Sequence, residues 1–218
     1  MALGESVKSI LKVGLRLTLP VVLLLASYGL AFFGQRYAII LLDNQEWLGQ
    51  SGLKPSLWLT AGHIAIMLSF FLVIVTNRLF GPAYALLQIV IAWLIAGALR
   101  VFAWPQLTTL LHQDGTVLPP QDVMLIFLGA LALAHLVSIV MFDSMRGRPW
   151  WRAPLLAALA GAVILPAVYW PALHPQAVPW ISRLTLDLAL KVAAAFVLLA
   201  PYALLRPITR PRDGFGGY

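Results

Sequence analysis

The sequence predicts an all-α membrane protein, a single bundle of six transmembrane helices with both termini in the cytoplasm. Three observations predict it. The 218-residue chain is 61% hydrophobic and only 11% charged, whereas soluble domains carry about 25% charged residues. Six apolar runs reach the roughly 20 residues that cross a bilayer, and the basic residues concentrate on one side of them. This composition excludes a soluble globular protein, and its high hydrophobicity excludes a disordered chain.

The six runs cover about residues 10–33, 57–76, 83–104, 123–142, 153–171 and 181–205. Hydrocarbon offers backbone groups no water to bond, so runs of this length form helices. The first run is longer than the apolar core of a signal peptide and lacks a clear cleavage site, so we expect it to be retained. We therefore expect one membrane domain over residues 1–206 and a flexible tail over residues 207–218.

The distribution of basic residues orients the helices. Six spans place both termini and the second and fourth connections on one side of the membrane, with ten Lys and Arg residues against four on the other side. Positive charge is retained in the cytoplasm, which predicts cytoplasmic termini. The net charge of +7 is then topological and does not indicate nucleic-acid binding. The ten are Lys8, Lys12, Arg16, Arg78, Arg146, Arg148, Arg152, Arg206, Arg210 and Arg212.

Enzyme chemistry has no support in the sequence. It contains no Gly-rich phosphate loop, no His-Glu-x-x-His motif and no nucleophile elbow. The absence of cysteine excludes thiol nucleophiles and thiolate metal sites. Six spans leave no length for a nucleotide-hydrolysing domain. We predict neither an enzyme nor a metal or cofactor site, and expect membrane lipids and a small solute as partners.

The most informative polar residues are Asp187 and Lys191, one helical turn apart in the sixth run, with Arg183 a further turn upstream. Spacing of four places all three on one helix face. A lone Asp or Lys at mid-membrane costs about 2.5–3.5 kcal/mol, and an acid–base pair on one helix returns only about 0.2–0.5 kcal/mol. Two interpretations remain: the pair latches neighbouring helices together, or it faces a central cavity and binds a polar solute.

Four further residues are candidates for the wall of such a cavity. His63 and His135 lie within the second and fourth runs, and Gln88 and Trp93 within the third. The imidazoles and the amide can equally bond across helix contacts, and Trp93 can stack on a planar ligand or pack against lipid. A third interpretation has the two histidines bind haem or another pigment.

Three short stretches, in register over roughly residues 60–206, resemble the queuosine precursor transporter family, also called the vitamin uptake transporter family. They are Arg78-Leu79-Phe80-Gly81, then Phe142-Asp143-Ser144-Met145-Arg146 followed by Trp150-Trp151-Arg152-Ala153-Pro154, and Asp187-x-x-x-Lys191 followed by Pro201-Tyr202.

The resemblance implies a six-helix protein of the bacterial inner membrane that imports a queuosine precursor or a related heterocycle. It implies Asp187 and Lys191 as cavity residues, and Arg78 with Gly81 as structural or gating residues, a role in which we also place Arg183. The chain departs from the family pattern where Val73 and Ile74 replace a Thr-Asp pair. An alternative is therefore a family relative recruited as a structural or assembly subunit of a larger membrane complex.

Overall fold

The computed structural model describes residues 2–40, 43, 55–102, 106, 121–173 and 180–211, with side chains from residue 13 onward except those of 100, 121 and 122. This part of the chain is mainly helical, and six of its helical segments are long and apolar enough to cross a membrane. The helices are α1 (Ala2–Gly34), α2 (Ala61–Ala65), α3 (Met67–Phe80), α4 (Pro82–Phe102), α5 (Gln121–Ser144), α6 (Arg152–Leu173) and α7 (Trp180–Leu205).

The second span consists of two helices, α2 and α3, separated by a distortion at Ile66. The carbonyl of Ile66 accepts both the backbone N–H of Ser69 at 3.0 Å and its hydroxyl at 2.7 Å. The three-residue backbone bond tightens the chain here into a 3₁₀-type turn. Consequently His63, on the short helix α2, belongs to a different segment from the rest of its span.

The turn between α3 and α4 is a single glycine. Gly81 ends α3 with φ of +85°, a conformation in which a Cβ atom is strained. Pro82 follows as the first residue of α4, where its missing N–H costs no helical hydrogen bond. The structural role expected for Gly81 is thus a tight reversal that places α3 and α4 side by side.

Helix α3 lies between two layers of apolar side chains. On one face Phe70 and Ile74 pack into a cluster with α5, α6 and α7, and on another Val73 packs with α1 and α4. Small residues allow the close approach: a Cβ on Gly161 would lie 2.4 Å from the ring of Phe70, and one on Gly62 would lie 2.3 Å from the carbonyl oxygen of Ala31. Small residues have this role at helix contacts in membranes.

The predicted fold class is confirmed: the described residues form helices and no strand, and six segments can span a membrane. The second span lies further along the chain than the predicted residues 57–76 and covers Ala61–Phe80. Residues 57–60 are excluded from the helix because Pro55–Leu57 is a 3₁₀ turn and Thr60 pairs with Ala38, and α3 continues to Phe80.

The first residues of the predicted tail are attached to the bundle, since the carbonyl of Thr209 accepts a 2.8 Å bond from Nε of Arg78. Residues 212–218 lie outside the described residues, as do most of the connections 41–54, 103–120 and 174–179.

The crossing of α1 and α2 provides a test of the packing. Replacing Gly62 by Ala places a methyl group against the backbone of Ala31, which cannot rotate away. We expect a loss of about 1–3 kcal/mol of stability, measured as a lower unfolding midpoint in detergent by circular dichroism. Gly97→Ala is the matched control, because its Cβ would meet nothing within 4 Å. Equal midpoints for the two variants would contradict the close crossing.

Candidate functional site

The charged pair of the last span lies inside the bundle. Asp187 and Lys191 are each 1% exposed, and at 1.5 Å per residue Asp187 lies about 10 Å along α7 from its first residue. Lys191 Nζ donates a hydrogen bond to Asp187 Oδ1. The second carboxylate oxygen, Oδ2, accepts a 2.9 Å bond from the indole N–H of Trp170 on α6. Both oxygens of the acid are therefore bonded, and the pair links α7 to α6.

Three aromatic rings surround this pair at the end of the bundle opposite the termini. The rings of Trp58 and Trp170 are perpendicular, with centroids 5.3 Å apart, and the imidazole of His63 lies parallel to Trp170 at 6.2 Å. Arg183 extends over both indoles, with Cζ at 5.7 and 5.8 Å from the two centroids. We call this group the indole site; it comprises Trp58, His63, Trp170, Arg183, Asp187 and Lys191.

Local structure orients His63. Its Nδ1 accepts the backbone N–H of Thr60 at 3.2 Å, in the manner of a capping box at the start of α2. Thr60 itself is held by its pairing with Ala38 and by the 2.9 Å bond from its hydroxyl to Gln35 Oε1. With Nδ1 accepting, the proton of a neutral His63 lies on Nε2, which leaves an N–H donor available at the site.

Two buried donors of the indole site have no hydrogen-bond partner among the described residues. They are Nε1 of Trp58 and Nε of Arg183. A buried polar group without a partner costs roughly 1–3 kcal/mol, so such groups in a native structure mark a functional element or a missing partner. Both belong to side chains that pack against Trp170, whose own N–H is bonded to the buried carboxylate.

A second group of polar side chains lies in the interior between α1, α3, α4 and α5. His135 Nε2 is 3.0 Å from the hydroxyl of Ser69, whose proton is donated to Ile66, so the imidazole donates. Its ring packs 4.5 Å from that of Phe70. Gln88 donates to the carbonyl of Pro20 at 2.8 Å, and Trp93 donates to the hydroxyl of Tyr28 at 3.3 Å.

The predicted site residues therefore divide between two places. Asp187, Lys191, Arg183 and His63 meet in the indole site, whereas His135, Gln88 and Trp93 belong to the second interior group. The two imidazoles have different neighbours, and within the described residues no group of three or more His, Asp or Glu is placed to hold a metal ion. The arrangement gives the haem interpretation no support.

Trp58 and Trp170 were absent from the predicted site, because tryptophans near span ends are typical of the bilayer interface. One sequence signal points to them. In a bundle of alternating direction, the start of the second span, the end of the fifth and the start of the sixth share one end, and this is the end to which Arg183 and Asp187 are nearest.

Another polar network lies at the opposite end and joins stretches of the sequence that are far apart. Arg146 donates 2.9 Å bonds to both the backbone carbonyl and Oδ1 of Asn77, and Asn77 Nδ2 donates to the carbonyl of Ile139 at 3.1 Å. Arg78 donates to the hydroxyl of Tyr202 at 3.3 Å as well as to Thr209. Arg78 thus has a structural contact, which ties α3 to the end of α7.

Two crevices among the described residues lie elsewhere than at Asp187 and Lys191. One is an apolar crevice of about 10 Å³ between α3, α6 and α7, bordered by Phe71 and Tyr202; the other is a surface groove beside Trp150 and Arg206. Neither is lined by the charged pair, whose side chains are buried from solvent.

The chain matches no protein-family model, and comparisons with curated proteins and with solved structures returned no match.

Because the ion pair is buried, we expect substitutions of Asp187 and Lys191 to have strongly coupled effects on stability. Lys191→Met leaves the buried Asp187 without its cation, and removing one partner of a buried pair costs about 3–5 kcal/mol. The double variant Asp187→Asn with Lys191→Met buries no charge, so we expect it to be more stable than Lys191→Met alone. Thermal unfolding in detergent of the wild type, both single variants and the double variant measures the coupling. If the losses of stability in the two single variants add up to the loss in the double variant, the two side chains do not interact.

Proposed function

We propose that the chain is a multi-pass membrane transporter that binds a small planar solute at the indole site. The observation that carries the proposal is the combination of a buried charged pair with unpartnered N–H donors between aromatic rings. Ionisable residues inside membrane spans mark solute or ion pathways by default. Aromatic walls with a few convergent polar groups are typical of small-molecule sites.

The distortion at Ile66 supports this proposal. Transporter sites are commonly formed where a span is interrupted, because the interrupted segment can move and its backbone can face the site. Here the short helix α2 contributes His63 to the site, while α3 continues as the central helix of the bundle. A shift of α2 would move His63 away from Trp170.

The solute that we propose is a queuosine precursor or a related heterocycle, on the ground of the resemblance described above. Contacts between the three resembling stretches support it. Arg78 of the first bonds Tyr202 of the third, and Arg146 of the second bonds Asn77, which adjoins the first. The location that we propose is the bacterial inner membrane, with cytoplasmic termini as the basic residues indicate.

Uptake of a labelled queuosine precursor tests the proposal, in bacterial cells that lack other importers. We expect uptake above the empty-vector level, and we expect Lys191→Met to lower it at least tenfold, because the solute loses its central polar contact. Phe196→Leu is the control: it lies on the same helix, 54% exposed and away from the site, and should transport normally. Background uptake by the wild-type chain, or full uptake by Lys191→Met at equal membrane abundance, would contradict the proposal.

A second candidate function is that of a structural or assembly subunit of a larger membrane complex. The hydrogen bonds of the pair favour this function. Asp187 bonds both Lys191 and Trp170, and these contacts hold α6 against α7. Under this function the wild-type chain transports nothing and a stoichiometric membrane partner copurifies with it. The uptake experiment and the composition of the gently solubilised protein together distinguish the two.

A further inference from the structure

We infer that the indole site selects planar solutes by charge and takes an aromatic monoanion in preference to a neutral or cationic ring of the same shape. The inference rests on the proposed binding of a small planar solute at the indole site. It favours a related anionic heterocycle over a queuosine precursor, whose ring carries no negative charge at neutral pH. Three features of the site carry it: its charge balance, its excess of donors and the arrangement of its rings.

The first feature is the charge balance. Two of the site's side chains are cationic, Lys191 and Arg183, and only Asp187 is acidic. Lys191 is paired with the acid, whereas Arg183 has no ion pair or hydrogen bond among the described residues and lies over the faces of Trp58 and Trp170. The formal charge of these three side chains is therefore +1, and the guanidinium that carries the excess is partly buried near the start of α7.

Asp43, another acid at this end of the bundle, does not neutralise Arg183. Its Oδ1 accepts the backbone N–H of Ser56 at 3.0 Å, which holds the 3₁₀ turn before Trp58. No described contact joins Asp43 to Arg183.

The second feature is an excess of donors over acceptors. Both oxygens of Asp187 are already bonded, by Lys191 and Trp170. The buried atoms of the site that have no partner in the described part of the chain, Nε1 of Trp58 and Nε of Arg183, are both N–H donors. A solute that satisfies them must present acceptors, and a carboxylate presents two oxygens with four lone-pair positions. Donors to an ionised group also form stronger hydrogen bonds than donors to a neutral one.

The third feature is the arrangement of planar groups. The guanidinium of Arg183 is itself planar and lies over both indole rings. We infer that a solute ring takes this place against Trp58 and Trp170 while Arg183 swings aside to pair with the solute's carboxylate. That exchange replaces a cation–π contact by a charge-assisted, bidentate hydrogen bond, the stronger of the two interactions. A cationic ring would instead meet Arg183 with a like charge.

Three probes that share one ring and differ in charge test the inference: benzoate, benzamide and benzamidine. Each is titrated into the purified full-length protein in detergent, with calorimetry or indole fluorescence as the readout. We expect benzoate to bind at least tenfold more tightly than benzamide, since one charge-assisted hydrogen bond is worth about a factor of ten or more, and benzamidine to bind most weakly.

Variants at Arg183 show whether the preference comes from this residue. Arg183→Gln should weaken benzoate about tenfold or more while changing benzamide less than about threefold, because only the charged contact is lost. Arg183→Lys retains the charge and should retain most of the preference. Thr185→Ala, an exposed position two residues further along α7, should leave all three affinities unchanged.

The outcomes separate the inference from the function. Benzamidine binding most tightly, equal affinities for the three probes, no binding by any of them, or an unchanged preference in Arg183→Gln would each overturn the charge selection. Uptake of labelled benzoate, measured beside that of the labelled queuosine precursor, decides transport independently. If uptake occurs without the benzoate preference, only the inference fails; if benzoate is preferred and no solute is taken up, the anion site stands and the transporter function fails.

Discussion

The arrangement of this bundle depends on one constraint: a charge placed in hydrocarbon must find a partner. Asp187 has two hydrogen-bond partners, the ammonium of Lys191 on its own helix and the indole N–H of Trp170 on α6. Satisfying the acid brings Trp170 inward, and Trp170 in turn provides the surface against which His63 and Trp58 pack. The aromatic end of the bundle is thus organised around a single carboxylate, although most of the contact area there is apolar.

The helices and the burial of the polar residues could be predicted from the sequence, because both follow from the hydrophobicity of a run and from the cost of charge within it. The hydrogen-bond partners of these polar residues could not be predicted from the sequence. Gln88 bonds the carbonyl of Pro20 and His135 bonds Ser69, and these pairs depend on how neighbouring helices are rotated, which hydrophobicity does not encode. Trp170 could not be assigned to the site for a related reason: a tryptophan near a span end satisfies the interface preference equally well whether its ring faces lipid or an acid.

The bundle places its polar contacts at different depths for different purposes. Near the termini, Arg146 and Arg78 bond carbonyl oxygens at helix ends and thereby hold α3 against α5 and α7. These guanidinium groups have acceptors. In the indole site, by contrast, the guanidinium of Arg183 rests on aromatic faces without one. Among the described residues, Arg183 thus differs from these two arginines in having no hydrogen-bond acceptor.

The bond between Arg78 and the carbonyl of Thr209 has a practical consequence for anyone who engineers this chain. A reporter or affinity tag joined directly to Leu205 would remove the acceptor and detach the end of the last span from the central helix. A junction after Pro211 retains the Thr209 carbonyl and therefore its bond to Arg78. Topology mapping by fusion proteins is therefore sensitive to a shift of only a few residues at this terminus, and truncation series should be designed with that boundary in mind.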